Sequence, residues 1–358
     1  MAVSCRDRNG SDRKGRKGKM RRTQNILVII ALVMASAPRA EIYEMPPAGF
    51  DVVGAVSTIT ARDEDTLIDI ARRHGLGYED IVRANPTVNI WVPGAGTEII
   101  LPTRYVLPAA PREGIVLNLA EFRLYYFPKP KAGEPAYVMT YPISIGRMDW
   151  DTPLGLTEVI SKVRNPSWYP PQSVRDEHAA DGDPLPRIVP PGPKNPLGKY
   201  AMRLGLPGYL IHSTNRPAGV GMRVTHGCVR MFPEDIEYLF GQVNVSTPVR
   251  IINDPVKIGW NGDELVMEAH PVLEATLNDT VEDATAAEEL AEMTEPDAYP
   301  AIARDSLSFV TEQFIAATGE RPGQLDWHLV EEVVGRSDGI PTSVGHSIKN
   351  AAASAASE

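Results

Sequence analysis

The sequence predicts a mainly β domain of sandwich or barrel type carrying a short helix, with a small βααβ module before it and a helical tail after it. Three observations lead there. Between residues 113 and 253, short apolar alternations recur between Gly/Pro turns, and only one stretch has helical spacing. Residues 56–104 hold a compact strand–helix–helix–strand pattern, and two amphipathic stretches follow residue 300. A chain of 358 residues has room for two or three such units at roughly 150 residues per domain.

Residues 1–40 read as an address. Arg21 and Arg22 precede an apolar run at 26–35, and small residues follow at Ser36, Ala37 and Ala40, the layout of a secretory signal peptide. The run is short for a membrane span, so membrane contact is expected only through this transient segment. The basic region before it is long, and a start at Met20 would give a more ordinary signal. The net charge of −10 is unevenly spread: after residue 40 there are 26 basic against 44 acidic side chains, net −18. Such a body repels phosphate backbones, so no nucleic-acid partner is expected. Cys5 leaves with the signal, which makes Cys228 the single thiol of the exported chain. Oxidising compartments pair their structural cysteines, and an unpaired one is a candidate for reactivity, with a buried inert thiol as the competing reading.

Residues 41–55 are broken by Pro and Gly and carry no assignment. Asp65 and Thr66 cap a helix bearing Leu67, Ile70 and Ala71, stopped by Gly75. Tyr78, Ile81, Val82 and Ala84 predict a second helix ended by Asn85-Pro86, and Glu98–Leu101 a strand. Leu107 to Pro111 is a Pro-broken linker. Strands are expected at 115–120, 124–128, 138–145, 209–212, 224–231 and 248–252, and a helix from Pro233 to Phe240. Residues 165–198 are expected to be a long Pro/Gly-rich loop, a length more often functional than idle. Residues 254–273 form a closing segment. The rest, 274–358, reads as an acidic linker with nine acids and no base over 274–297, then the helical tail and a disordered Ala/Ser-rich end. The tail's stripes are Ile302, Leu307, Val310, Phe314 and Ile315, closed by Gly319, and Leu325, Leu329, Val330, Val333 and Val334, closed by Gly335.

The run with chemistry in it is His212-Ser213-Thr214, then Thr225-His226-Gly227-Cys228-Val229-Arg230. On a strand, positions two apart share a face, so His226, Cys228 and Arg230 are expected to line one cleft. An imidazole and a positive charge beside a thiol lower its pKa. Gly227 lets the backbone approach a substrate closely, as an oxyanion hole of main-chain N–H groups needs. These are the ingredients of covalent acyl transfer. A zinc site would want four ligands, and His74, His178, His270, His328 and His346 show no ligand spacing. Redox sensing would want a second cysteine. Spacing alone nominates His226 as the base.

Two resemblances follow from these residues. Asp65-Thr66-Leu67, Ile70-Ala71, Gly75, Asp80-Ile81, Ala84-Asn85-Pro86 and the close from Pro93 to Pro102 resemble a LysM module, a binder of N-acetylglucosamine-containing glycans, with Ile68 where an aromatic is usual. His212 with the Thr225-to-Arg230 run resembles L,D-transpeptidase (YkuD-type) catalytic domains, above all the ErfK/YbiS/YcfS/YnhG group of Gram-negative envelope enzymes. Further matches are Arg123-Leu124-Tyr125-Tyr126, Asp151-Thr152-Pro153, the run from Gly192 to Gly198, and Glu234-Asp235-Ile236.

The second resemblance implies a periplasmic peptidoglycan L,D-transpeptidase. Cys228 would attack the position-three diamino acid of a stem tetrapeptide and expel D-Ala. His212 would be the general base, oriented by the backbone carbonyl of Ser213. Gly227 would give an oxyanion N–H, with His226 as support or alternative base, and Arg230 would position substrate or motif. It implies no cofactor and no metal, acylation by carbapenem-type β-lactams, and an amine acceptor from another stem or an outer-membrane lipoprotein. Water as acceptor, giving a carboxypeptidase, and a non-catalytic wall-binding scaffold are the alternatives.

Overall fold

The computed structural model describes residues 41–147, 152–273 and 301–348, with side chains from 306 onward in the last stretch. The expected signal peptide, the acidic linker, the Ala/Ser-rich end and Asp151 lie outside the described residues.

The first elements are β1 (Glu41–Glu44), β2 (Val52–Gly54), β3 (Ser57–Thr60), α1 (Leu67–Arg73), α2 (Tyr78–Ala84), β4 (Glu98–Leu101) and β5 (Arg104–Val106). Thr66 starts α1, its Oγ1 accepting the Asp69 N–H at 3.0 Å. The side chain of Asn85 ends α2 and ties it to β4: Nδ2 donates to Ile81 O and Ile100 O, and Oδ1 accepts Ile100 N–H. Leu67, Ile70, Leu76, Ile81, Ile99 and Leu101 bury a core of their own beneath the antiparallel β3–β4 pair. Residues 41–55, left unassigned above, contain two strands. β1 pairs with the edge of the main sheet and β2 with β5; each is too short to show a pattern.

Next come β6 (Gly114–Asn118), β7 (Arg123–Phe127), β8 (Tyr137–Pro142), β9 (Ile145–Gly146), β10 (Gly155–Arg164), α3 (Gln172–Ala180), β11 (Tyr200–Leu204), β12 (Leu210–His212), β13 (Arg223–Thr225), β14 (Val229–Arg230), α4 (Pro233–Gln242) and β15 (Pro248–Ile252). They build a mainly β domain on a nine-stranded sheet of order β1-β8-β7-β6-β15-β10-β11-β12-β14. Two of its pairings, β12–β14 and β15–β6, are parallel. Ser144 and Arg230 exchange backbone hydrogen bonds of 2.8 and 3.0 Å, which carries the far edge strand back to the β8 side and curls the sheet toward closure. Ile236, Leu239 and Phe240 of α4 complete its core.

Two expectations fail here. The 165–198 stretch is not all loop, since it contains α3. Only Val174 of that helix is buried, so it offers no apolar stripe to read. The strand expected at 224–231 is broken into β13 and β14, because Gly227 takes φ +91°, outside the range of an L side chain.

The last elements are β16 (Val256–Asn261), β17 (Glu264–Ala269), α5 (Ala301–Thr318), β18 (Gly323–Leu325), α6 (Trp327–Arg336) and β19 (Thr342–Ser347). The closing segment and the helical tail are therefore one unit, a sheet of order β16-β17-β19-β18 packed against α5 and α6. Its core joins Val256, Ile258 and Met267 to Val310, Val330 and Val333. Ile315, placed on the apolar stripe by spacing, is 64% exposed, and Gly335 lies inside α6 rather than closing it. The helix ends at Ser337, which adopts the left-handed conformation at φ 43°.

Candidate active site

Parallel pairing of β12 with β14 sets Ile211 opposite Val229 and His212 opposite Arg230. Partners in a pair project to the same face, and side chains alternate along each strand. His212 and Arg230 therefore share a face, and Cys228 stands just before β14 beside them. All three line one cleft of about 1510 Å³.

His212 is buried, and its Nδ1 lies 2.6 Å from the carbonyl oxygen of Ser213. A carbonyl only accepts, so Nδ1 carries the proton and Nε2 keeps its lone pair. Burial, reinforced by the charge of Arg230, pushes the His212 pKa down to about 3, against the opposing bond to Ser213. The ring is a neutral base across the neutral range. Ser213 is itself held from two sides. Its N–H donates to Tyr200 O at 2.9 Å, and Gly198 packs so closely that a Cβ there would sit 2.6 Å from the Ser213 Cβ. Gly198 also has φ +63°, and the loop leading to it is anchored by the fully buried Asn195, whose Nδ2 donates to Pro166 O at 2.8 Å.

Cys228 is half-buried, and its Sγ donates to Gly208 O at 3.6 Å. Burial pushes the thiol pKa up, and a backbone hydrogen bond from Leu210 and the charge of Arg230 recover only part of the shift. This corrects the expectation of a lowered thiol pKa, because desolvation outweighs the neighbouring charge. Arg230 has its Nε buried without a hydrogen-bond partner among the described residues. Burial and the charge of Arg216 lower its pKa.

His226 and Cys228 both lie outside the strands, between β13 and β14, yet His226 lines the same cleft as Cys228 and Arg230, as expected. Its Nε2 is 2.9 Å from Oε2 of Glu177 on α3, and the other oxygen of that carboxylate accepts from Arg147 at 2.5 Å. The Arg147 bond, then the His226 bond, lowers the Glu177 pKa. Glu177 was missed by the sequence reading, since it sits in the stretch taken for loop.

The cleft has a second wall. Ile68, Tyr78 and Trp91 of the small N-terminal unit line it together with Trp168 and Val174. That unit is seated on the 217–222 loop by backbone contact. Tyr78 N–H donates to Val220 O at 2.9 Å and Glu79 N–H to Gly221 O at 3.3 Å. Gly221 has φ +89°, and a Cβ on it would lie 2.3 Å from Tyr78 N. Arg72 adds a bidentate pair to Glu234 at 2.7 and 2.9 Å.

His270, isolated by sequence spacing, gathers with Glu121 and Glu268 within ligand reach. The Nζ of Lys257 already stands 2.6 Å from Glu121 and 2.9 Å from Glu268, so an ammonium group fills the place of a cation there. None of these four residues lines the cleft.

A buried neutral imidazole, a thiol and a guanidinium whose Nε has no partner among the described residues thus line one cleft. Residues 112–251 match the YkuD family model, the L,D-transpeptidase catalytic domain. The Probable L,D-transpeptidase YcfS of Escherichia coli (strain K12) is 41% identical over 256 residues, covering 70% of this chain and 78% of that protein. The Probable L,D-transpeptidase YbiS of the same organism is 40% identical over 245 residues, 67% of this chain and 78% of that one. The chain belongs to the L,D-transpeptidase family.

Proposed function

We propose that this protein is an exported, periplasmic peptidoglycan L,D-transpeptidase working through a Cys228 thioester. The observation that carries this reading is the shared cleft of Cys228, His212 and Arg230, with His212 fixed in one tautomer by Ser213 O. Thiol and imidazole both rest uncharged, so the proton passes as the bond forms. Sγ attacks the carbonyl of the position-three diamino acid, and Nε2 of His212 takes the thiol proton. The oxyanion is met by the N–H groups of Gly227 and Cys228. The tetrahedral adduct collapses, His212 returns the proton to the departing D-Ala amine, and a thioester remains. An acceptor amine then attacks that thioester, His212 takes its proton, and Cys228 leaves with one.

Arg230, with no carboxylate paired to it among the described residues, is assigned to a carboxylate of the stem peptide. His226, which lines the same cleft, is assigned to support, its Nε2 being engaged by Glu177. The acceptor is an amine of another stem or of an outer-membrane lipoprotein, and water in its place would give a carboxypeptidase. The N-terminal unit is assigned as a LysM-like glycan holder, in keeping with its strand–helix–helix–strand order. Among the described residues, no helix is long and apolar enough to cross a membrane.

Mass spectrometry of muropeptides incubated with the protein, with and without a lipoprotein acceptor, tests the reading. A 3→3 cross-link or an anchored lipoprotein is expected, together with a covalent adduct from a carbapenem. Cys228→Ala is expected to lose both product and adduct while remaining folded; unchanged product from that variant would end the proposal.

A further inference from the structure

Thr152 takes no part in the cleft. It is 6% exposed and lines a separate cavity of about 520 Å³, with Gly146 and Arg223. Its Oγ1 accepts the Gly146 N–H at 3.3 Å and donates to the carbonyl oxygen of Gly227 at 2.8 Å. The next carbonyl along, that of Cys228, is held in the same manner by Thr225 Oγ1 at 2.6 Å. Both carbonyls around the sulfur-bearing residue are thus anchored by threonine hydroxyls.

In a trans peptide, the C=O of one residue and the N–H of the next point in opposite directions. Gly227 O and Cys228 N–H share such a plane. A Gly227 carbonyl drawn toward Thr152, away from the cleft, turns the Cys228 N–H toward the cleft. Gly227 has no Cβ to resist rotation of this plane, and at φ +91° it occupies a region that glycine enters and leaves freely. The glycine gives close approach and gives up rigidity, and a hydrogen bond from outside must supply the rigidity.

We infer that Thr152 is the positioning residue of the oxyanion site, holding the Gly227–Cys228 peptide so that the Cys228 N–H meets the developing negative charge. This rests on the transpeptidase reading of Cys228. It predicts that the Thr152 hydroxyl is needed for attack on a carbonyl and not for attack by the same sulfur on a saturated carbon. Acylation builds an oxyanion; alkylation by iodoacetamide displaces iodide from an sp3 carbon and builds none.

The experiment compares the rate of carbapenem acylation with the rate of iodoacetamide alkylation at Cys228, by intact-protein mass spectrometry, in wild type, Thr152→Val and Thr152→Ser. Thr152→Val is expected to lose on the order of 10²-fold in acylation, the scale of one oxyanion donor. Its alkylation rate is expected to stay within about twofold of wild type, by the same reasoning. Thr152→Ser, which restores the hydroxyl, is expected to recover most of the acylation. Equal acylation in Thr152→Val and wild type overturns the inference, and so does a proportionate loss of both reactions. Should the valine variant not fold, Thr152→Ala with the same pair of rates decides by the same criteria. If wild type alkylates at Cys228 but takes no acyl group, the transpeptidase reading itself fails, a result distinct from failure of the Thr152 assignment.

Discussion

The mainly β domain is joined to its two neighbours by different mixtures of backbone contact and buried charge. Toward the N-terminal unit, backbone meets backbone, with Gly221 beneath the start of α2, the half-exposed Arg72–Glu234 pair beside it and a buried ion pair, Arg123 with Asp80 at 2.5 Å. Toward the C-terminal unit the junction is a set of fully buried charges. Lys257 contacts Glu121, Glu268 and the Tyr125 hydroxyl, and Glu268 accepts the Val106 N–H at 2.7 Å. Burial opposes the ionisation of both carboxylates. Lys257 and His270 overcome it at Glu268, whose pKa is lowered, while at Glu121 burial and the charge of Glu268 prevail and raise it. The first junction lies at the cleft wall and the second does not. Contact geometry matters for chemistry at one, and charge pairing matters for stability at the other.

The sharpest break is Lys257→Met, which leaves two buried carboxyl groups without their ammonium. A loss of about 3–5 kcal/mol is expected, since removing one partner strands the others. Chemical denaturation measures it, and the surviving folded fraction should still acylate at the wild-type rate. Next is Gly221→Ala. Its Cβ meets backbone rather than a yielding side chain, at a positive φ, so a strain on the order of 1–3 kcal/mol is expected. Part of the relief comes from unseating α2. Turnover of a soluble, sugar-free stem peptide should fall although that substrate has no glycan to hold; unchanged turnover would mean that the wall is idle.

A pH series sharpens the same contrast at the site. The folded pKa of His212, about 3, lies below its unfolded value, so between that pH and about 6.5 the unfolded chain binds the extra proton. Stability contributed by this residue is complete above about 6.5 and is lost as pH falls toward 3. Acylation should therefore show no limb near pH 6.5. Iodoacetamide alkylation should instead inflect on the alkaline side of a free cysteine, because burial raises the thiol. The smallest effect belongs to Arg72→Ala. Its side chain is 38% exposed, and about 1 kcal/mol or less is expected from thermal melts.

What the sequence made legible was local chemistry. Thr66 before an apolar stripe and Asn85 before Pro86 mark helix ends through bonds to their own neighbourhoods, and both are present. His212 and Cys228 were visible through the Thr225-to-Arg230 run and the resemblance it carries, whereas spacing alone pointed to His226. Long-range burial was not visible. The thiol pKa was misjudged because sequence shows the charge of Arg230 and not the desolvation around the sulfur. α3 escaped because it buries one residue, and Glu177 with it. The β16–β17 hairpin carries a local signal, Gly262-Asp263 between two apolar runs, with Gly262 at φ +65° and Asn261 paired to Glu264 across the turn. The role of Thr152 was hidden, since its partner lies 75 positions away.

The seating of α2 on the 217–222 loop bears on how such proteins can be recombined. A chimera cut between the two units, in the stretch from Leu107 to Pro111, would pass through no element yet would take β1 from the main sheet and Ile68, Tyr78 and Trp91 from the cleft wall. The heritable building block is the pair, and a graft that carries only one half brings a groove missing one bank.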